Sequence, residues 1–241
     1  MKTTTTKILT VLFLATFLSS CNINMFNRVN GNRNVVTEDR TTKEAFTKVR
    51  VSNGLDLYIS QGSKNKITVE ADENLQEIII TEVLNGELKI YAEKNIWSAK
   101  ARKIHVTVNN LETLIATSGA DVYAKETLKV TALKISATSG ADIKISVDAD
   151  SVETNATSGS DIEISGISNN YFSNATSGAS IDAYELKSKN VTAKVTSGAD
   201  INVFAIESID AKATSGGDID FKGNPKKVDK KSSSGGSISA Q

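Results

Sequence analysis

Apolar and polar residues alternate strictly along much of the C-terminal half of the chain. Between 133 and 148 the odd positions are apolar or small and the even positions are polar or glycine, and 191–203 follows the same rule. A period of two places successive side chains on opposite sides of an extended backbone. The pattern therefore predicts β-strands with one buried face. The expected inward residues of the first stretch are Leu133, Ile135, Ala137, Ser139, Ala141, Ile143, Ile145 and Val147.

A five-residue phrase interrupts this alternation at regular intervals. TSGAD starts at 117, and related phrases start at 138, 157, 176, 196, 214 and, in degenerate form, 233, so the steps are 18 to 21 residues. A period near ~20 residues with a glycine at one corner is typical of a solenoid built from stacked coils. Neighbouring strands would then lie ~4.8 Å apart. The sequence predicts an all-β, parallel β-helix-like solenoid with coils of ~20 residues.

Each phrase is expected to form a corner of its coil. The glycine suits a bend with positive φ, and the serine before it and the small residue after it are expected to face inward and stack along the axis. Most steps between phrases are odd numbers of residues, so equivalent residues move between odd and even positions. The alternation of inward and outward side chains must therefore be reset between phrases. We expect these resets in loops, for example at 148–151 and 167–170.

The aspartate that ends most phrases has two interpretations. Its carboxylate could accept hydrogen bonds from backbone N–H groups of the corner, as aspartate does in turns. Alternatively, stacked carboxylates could bind cations such as Ca²⁺ between coils. We favour the first interpretation, because calcium-binding β-rolls repeat Gly and Asp every ninth residue. The weak metal-site candidates are Asp121, Asp142, Asp161, Asp200 and Asp218.

Residues 42–241 are expected to form one domain with three parts. The phrase SNGLD at 52–56 matches TSGAD but lies 65 residues before it, close to three coils, so 42–113 are expected to be irregular first coils or an N-terminal cap. Residues 114–222 hold the repeats. Residues 223–241 are expected to cap the other end, with lysines where a further chain could add. The strands predicted in the first part are 45–51, 55–60, 66–71, 78–83, 88–92 and 103–108, with turns at 53–54, 61–63 and 85–86.

The N-terminus predicts export and a lipid anchor. Residues 1–20 contain two lysines followed by a short apolar run, and Leu18-Ser19-Ser20-Cys21 matches a bacterial lipobox, which makes 1–20 a lipoprotein signal peptide. Cys21 is the only cysteine, so it has no disulfide partner and acylation is its natural use. An ordinary secretory signal with a chance cysteine is the alternative. Residues 21–41 are expected to be the lipidated cysteine and a flexible tether.

Charge and motifs exclude several classes of function. The chain has 28 basic and 28 acidic residues, and removing 1–20 takes away two lysines, so no nucleic-acid partner is expected. His105 is the only histidine and is expected to face solvent from a strand in a structural role. The sequence has no nucleophile elbow, phosphate loop or nucleotide fingerprint, and no cofactor is expected.

The combination of motifs resembles a known family. The lipobox, the segments VSNGLDLYISQG, EADENL and NGELKI, and the serial TSGAD phrases are similar to the bacterial family named putative auto-transporter adhesin, head GIN domain, which is common in Bacteroidetes. The resemblance covers essentially all of 42–241. It implies a right-handed β-helix-like fold and a cell-envelope location. Together with the lipid anchor, we expect attachment to the outer membrane. It supplies no catalytic or binding residues.

Two functions remain open at this level. The favoured one is a non-catalytic envelope lipoprotein that acts as an adhesin-like binding or scaffold module for a glycan or an envelope protein. The alternative is a polysaccharide-active β-helix enzyme using surface carboxylates such as Asp142 and Asp161. Acids that recur at equivalent positions in many coils fit a repeated structural role better than one tuned acid–base pair.

One ligand contact is predicted from spacing. Tyr184 lies four residues after Ser180 and Phe204 four after Asp200, so the two rings occupy equivalent places on adjacent coils and are expected ~5 Å apart. If the alternation persists, both rings point outward and form an exposed stack for a sugar ring or an apolar side chain. The alternative is that both turn inward or cover a loop.

Overall fold

The computed structural model describes residues 28–42 and 44–241, and this part of the chain is built almost entirely from strands with one short 3-10 helix, η1 (Glu73–Leu75). The strands are β1 (Arg28–Asn30), β2 (Val35–Arg40), β3 (Lys48–Val51), β4 (Asp56–Gln61), β5 (Lys66–Asp72), β6 (Ile79–Leu84), β7 (Glu87–Ala92), β8 (Asn95–Ser98), β9 (Arg102–Val108), β10 (Thr113–Thr117), β11 (Asp121–Thr138), β12 (Asp142–Thr157), β13 (Asp161–Thr176), β14 (Ser180–Val195), β15 (Asp200–Thr214), β16 (Asp218–Lys222), β17 (Lys227–Ser233) and β18 (Ser237–Ala240).

The repeats form the predicted solenoid. Each of β11 to β15 is a long bent strand that runs through most of one coil and pairs in parallel with the next, as β12 pairs with β13 from Asp142–Asp161 to Thr157–Thr176. The result is a β-solenoid of about seven turns with coils of about 19 residues. Apolar side chains of successive coils stack inside it, so the alternating pattern becomes one continuous core.

A two-residue turn closes each coil. Ser139 and Gly140 have φ of 57° and 68°, and the pair recurs in the other phrases, as in type I′ turns. The N–H of Gly140 donates to the carbonyl of Ser158 in the next coil at 3.2 Å, so the hydrogen-bond ladder continues through the turn. Asn53-Gly54 belongs to the same stack, because the Gly54 N–H donates to the Ser118 carbonyl at 3.0 Å.

Two details of the predicted coil are wrong. The serine of each phrase is exposed rather than inward, because its left-handed conformation turns it out at the tip of the turn, whereas the following small residue is buried. The parity resets are not loops: the outward neighbours Asp150 and Ser151 lie within β12, and Asn169 and Asn170 lie within β13. A bent strand resets its alternation without losing its ladder. The inward row is Ala120, Ala141, Ser160, Ala179, Ala199 and Gly217.

The N-terminal part is a cap rather than three further coils. β3 and β4 stack directly on β10 and β11, so the coil with Asn53-Gly54 adjoins the first TSGAD coil. β7 and β9 add one incomplete coil in parallel. The antiparallel strands β6, β5 and β2 then close this end of the sheet. The six strands predicted between 45 and 108 are all present, with small differences in their ends.

The predicted tether is wrong for its described part. Within 28–41, β1 pairs with β8 and β2 pairs with β5. The buried carboxylate of Asp72 accepts hydrogen bonds from the backbone N–H groups of Arg33, Lys100 and Ala101 at 3.0 to 3.1 Å. These bonds fasten the segment to the cap. Polar composition suggested a flexible segment, but partners far along the chain order it.

The C-terminal residues form one more coil. β17 and β18 pair with β15 and β16, and Ser234-Gly235 repeats the turn with φ of 53° and 78°. Lys227, Lys230 and Lys231 lie exposed on β17 in this last coil, as the prediction of a lysine-bearing C-terminal cap expected.

We predict that two glycines differ in how much they contribute to the stability of the fold. A Cβ on Gly140 would meet no atom, so Gly140→Ala costs only left-handed strain, ~1 kcal/mol of unfolding free energy. Gly166 has φ of 113° and its Cβ would overlap the Val147 carbonyl, so Gly166→Ala should cost ~2–4 kcal/mol. Denaturant unfolding measures both, with the exposed Lys194→Thr as control, expected within ~0.5 kcal/mol of wild type. Equal losses for the two variants would contradict this distinction between an open turn glycine and a crowded strand glycine.

Candidate binding face

The solenoid has two long outer surfaces. The aspartate face is formed by the strand segments that follow the turns: β5, β9, β4, the first halves of β11 to β15, β16 and β18. The asparagine face is formed by the segments that precede the turns: β6, β7, β3, β10, the second halves of β11 to β15, and β17. Parallel stacking converts each repeated outward position into a row along the axis.

The repeated aspartates form a row on the aspartate face. Asp56, Asp121, Asp142 and Asp161 are register partners in turn, and the row continues through Ser180 to Asp200 and Asp218. Their predicted role as acceptors for the turn is wrong, since the turn N–H groups donate to backbone carbonyls, either of the neighbouring coil or of the same turn. For example, the Asp142 N–H donates to the Ala120 carbonyl at 3.1 Å. In the described ranges, three side chains able to hold a metal ion do not come together.

Burial, and in most cases neighbouring like charge, raises the pKa values of several aspartates in this row. Burial raises the pKa of Asp121, and the neighbouring carboxylates of Asp56 and Asp142 raise it further, while Arg102 opposes them. Burial and Asp142 likewise raise the pKa of Asp161. The pKa of Asp56 is raised by burial, against the charges of Arg102 and Lys103. The row is therefore a strip of negative charge held together by the backbone against its own repulsion.

An aromatic strip lies beside the first aspartates. It consists of His105, Tyr58 and Tyr123, which are register partners on β9, β4 and β11. The Tyr58 ring centroid is 5.2 Å from that of His105 and 5.5 Å from that of Tyr123, with interplanar angles of 24° and 27°. All three side chains are partly exposed, Tyr123 most of all at 37%. This is the largest group of touching aromatic rings on the described surface.

The two ends of the aromatic strip are charged. Nε2 of His105 lies 3.1 Å from the carboxylate of Glu70, and this hydrogen bond is the main cause that lowers the pKa of Glu70. His105 faces outward from its strand as predicted, but it is stacked and bonded rather than free. Beyond Tyr123 the same row continues with the ion pair of Lys144 and Glu163 at 2.8 Å.

Sequence reasoning missed this strip, although a signal was present. A tyrosine stands two residues after the aspartate in both Asp56-Leu57-Tyr58 and Asp121-Val122-Tyr123. Aligning the two phrases and stacking them directly would have paired the tyrosines. The assumption of intervening coils separated them, and His105 joins the strip only through the fold of the cap.

The predicted stack of Tyr184 on Phe204 is wrong. β14 and β15 are in register up to Ala183 and Val203, but Lys187 then opposes Phe204, so Tyr184 lies in a bulge. Nζ of Lys222 lies 3.9 Å from the centre of the Tyr184 ring. Both rings lie at the surface and are partly exposed, as predicted. Tyr184 and Phe204 lie equally far along the chain from their turns, but they do not become register partners. The two coils differ in length, and the extra residues of β14 form the bulge.

Phe172 is an isolated, exposed aromatic ring on the asparagine face. Phe172 is 48% exposed, at a row position occupied by Glu153 and Thr192 in the neighbouring coils. A shallow depression of about 470 Å³ surrounds it, lined also by Asn155 and Asn174. A single exposed ring is common on protein surfaces, so this depression is the weaker candidate.

The predicted lipidation site, Cys21, and the signal peptide, 1–20, lie outside the described residues. Among the described residues, no helix is long and apolar enough to cross a membrane.

The family model of the putative auto-transporter adhesin, head GIN domain, matches residues 45–225. The chain belongs to this family. The description is that of an adhesin, which indicates a binding function and an extracellular or envelope location. The resemblance drawn from the sequence is thereby confirmed.

Solved structures share the fold. A putative adhesin from Bacteroides fragilis has a TM-score of 0.83 at 20% identity, over 88% of this chain and all (100%) of the other. A putative lipid binding protein from Parabacteroides distasonis has a TM-score of 0.71 at 21% identity, over 89% and 99%. A putative adhesin from Parabacteroides merdae has a TM-score of 0.72 at 17% identity, over 89% and 99%. No curated protein matches the sequence.

We predict that removing one charge from the aspartate row stabilises the fold. Because the pKa of Asp121 is raised in the folded state, its ionisation costs the folded state more than the unfolded one, fully so above the raised value. Asp121→Asn should gain ~0.2–1 kcal/mol at neutral pH. The gain should fade as the pH drops through the raised pKa and vanish below the ordinary value of 3.8.

Melting temperatures across this pH range measure the effect. The matched control is Asp148→Asn, whose register partners on the two adjacent coils are Lys129 and Ile167 rather than acids, and it should show no gain. A gain for Asp121→Asn that persists in acid would rule out charge repulsion as its cause.

Proposed function

We propose that this protein is a non-catalytic, lipid-anchored envelope module that binds a glycan at the aromatic strip of the aspartate face. The observation that carries the proposal is the strip itself, three touching and partly exposed rings beside a row of carboxylates. The adhesin description of the family supports a binding role, and the lipobox at Cys21 supports the anchor.

The chemistry of the strip suits a sugar polymer. Aromatic rings bury the apolar C–H surfaces of a ligand, and phenolic hydroxyls add a polar tip to each tyrosine. The carboxylates of Asp56 and Asp121 accept hydrogen bonds and would do so strongly from sugar hydroxyl or amino groups. Because the aspartate row extends along the axis past the strip, a linear chain could continue over several coils.

The geometry gives little support to the enzymatic alternative. Asp142 and Asp161 are neighbours in one row, so their side chains leave the same wall side by side. General acid–base catalysis of glycoside cleavage needs two carboxyl groups that flank the scissile bond. The raised pKa values of the row follow from burial and like charge repeated along the coils, which is a structural pattern.

The proposed location is the outer membrane. Adhesin family membership is consistent with an envelope position, and two or more acyl chains on Cys21 would give stable attachment. The glycan would then be a component of the envelope or of a surface that the cell meets.

Truncating one ring should weaken glycan binding. We expect Tyr123→Ala to lower the affinity for a glycan identified on an array by about tenfold or more, since central aromatic contacts are typically worth ~2 kcal/mol. Calorimetric titration measures the affinity, and an unchanged melting temperature confirms the fold. Tyr184→Ala tests the ligand contact expected from the sequence at Tyr184 and Phe204, and it should bind normally if the aromatic strip is the site.

The matched control is Phe172→Ala, an exposed ring on the asparagine face, which should bind normally. Loss of binding in this control with normal binding by Tyr123→Ala would move the site to the asparagine face. If the wild type binds basic peptides and no glycan, the assignment of ligand class is wrong.

Replacing Cys21 should release the protein from the membrane. Cys21→Ser lacks the thiol that receives the lipid, so the variant is expected in the soluble or secreted fraction, while the wild type is extracted with detergent. Cell fractionation with immunoblotting measures the distribution. A variant that remains in the membrane after mild washing would show that the anchor is elsewhere.

A further inference from the structure

The N-terminal cap exposes the only tryptophan of the chain. Trp97 lies on β8 and is 62% exposed, more than any other large apolar side chain in the described ranges. The guanidinium of Arg28 lies 4.0 Å from the centre of the indole ring. Arg28 begins β1, which pairs with β8. The indole is thus covered in part by a cation and otherwise open to its surroundings.

This tryptophan is close in the chain to the proposed anchor. Only 22–27 separate Cys21 from Arg28, and a fully extended chain of that length spans at most about 25 Å. The paired strands β1 and β8 hold Trp97 next to Arg28. A lipid on Cys21 would therefore keep the indole within reach of the bilayer surface, without the longer tether that composition suggested.

The surface around Trp97 has the chemistry of a membrane interface. Tryptophan is enriched at the level of lipid headgroups, where its apolar ring and polar N–H are both satisfied. Arg28 can bind a lipid phosphate through its planar guanidinium, and the exposed Lys94 and Lys100 flank Trp97 three residues away on each side along the chain. Within 93–100 these two lysines outnumber the one acidic residue, Glu93.

We infer that Trp97 and Arg28 form a second, non-covalent membrane contact, with the indole in the headgroup region of the bilayer that holds the anchor. This inference rests on the lipid anchor of the proposed function. One lipid attachment leaves a folded domain free to tumble at the end of its chain. A second contact on the cap fixes this end toward the membrane and the last coil, β17 and β18, away from it.

The test uses two residues that each occur once in the chain, Cys21 and Trp97. The mature chain from Cys21 retains every described strand, so its thiol can be coupled to a maleimide phospholipid in phosphatidylethanolamine–phosphatidylglycerol vesicles without loss of the fold. Trp97 is then the sole source of tryptophan fluorescence. We expect a shift of its emission to shorter wavelength, protection from acrylamide, and quenching by brominated acyl chains, relative to the same protein coupled to a soluble maleimide.

Variants separate a specific contact from simple proximity. Arg28→Ala should reduce the shift and the protection, whereas Lys231→Ala on the last coil should not change them. Unchanged emission and unchanged acrylamide quenching on vesicles would overturn the proposal. Equal effects of the two variants would also overturn the role of Arg28.

The outcome is independent of the anchor experiment. The chemical tether holds the protein on vesicles whether or not cells acylate Cys21. If Cys21→Ser stays membrane-bound in cells, the anchor assignment fails while the fluorescence result stands on its own. If Trp97 remains in water on vesicles, the membrane contact fails while the lipoprotein assignment can still hold.

Discussion

The structure depends on the stack of left-handed two-residue turns. Each turn reverses the chain in the least space, and the N–H of its glycine donates to the next coil, as Gly140 does to Ser158. The turns therefore set the register in which the strands of neighbouring coils begin to pair. Because a slip of one residue would move every apolar side chain outward, this register also decides what is buried. Serine, unlike glycine, is strained in this left-handed conformation. The hydrogen bonds between coils and the burial of the continuous core offset the free energy of that strain.

The turn stack explains how much of the fold could be predicted. Local periodicity and repeated phrases are properties of short segments, so strands such as 103–108 and the coil repeat were accessible from sequence. The direct contact of the Asn53-Gly54 coil with the Ser118-Gly119 coil was not, since an excursion of 62–112 lies between them. The order of 28–41 was also hidden, because its partners Asp72 and β8 are set by tertiary packing alone.

The candidate binding face was even harder to predict from the sequence than the fold. Positions of the aspartate row follow from the repeat, and the row is present. The aromatic strip depends on which coils touch, and the stack of Tyr184 on Phe204 fails because one coil contains a bulge. A repeat thus predicts features that every coil shares. Features made by single residues, which are the better candidates for specific recognition, require the actual register.

The closed and open ends of the solenoid give the molecule a direction. Antiparallel strands and β1 close the N-terminal end, whereas β17 and β18 leave an open edge protected by exposed lysines. The aromatic strip lies on β9, β4 and β11, next to the closed end, and the coils with only the repeated row extend from it. With the lipid and Trp97 at the closed end, a bound glycan would meet the aromatic rings near the membrane. The more regular coils would then serve to extend the acidic row outward.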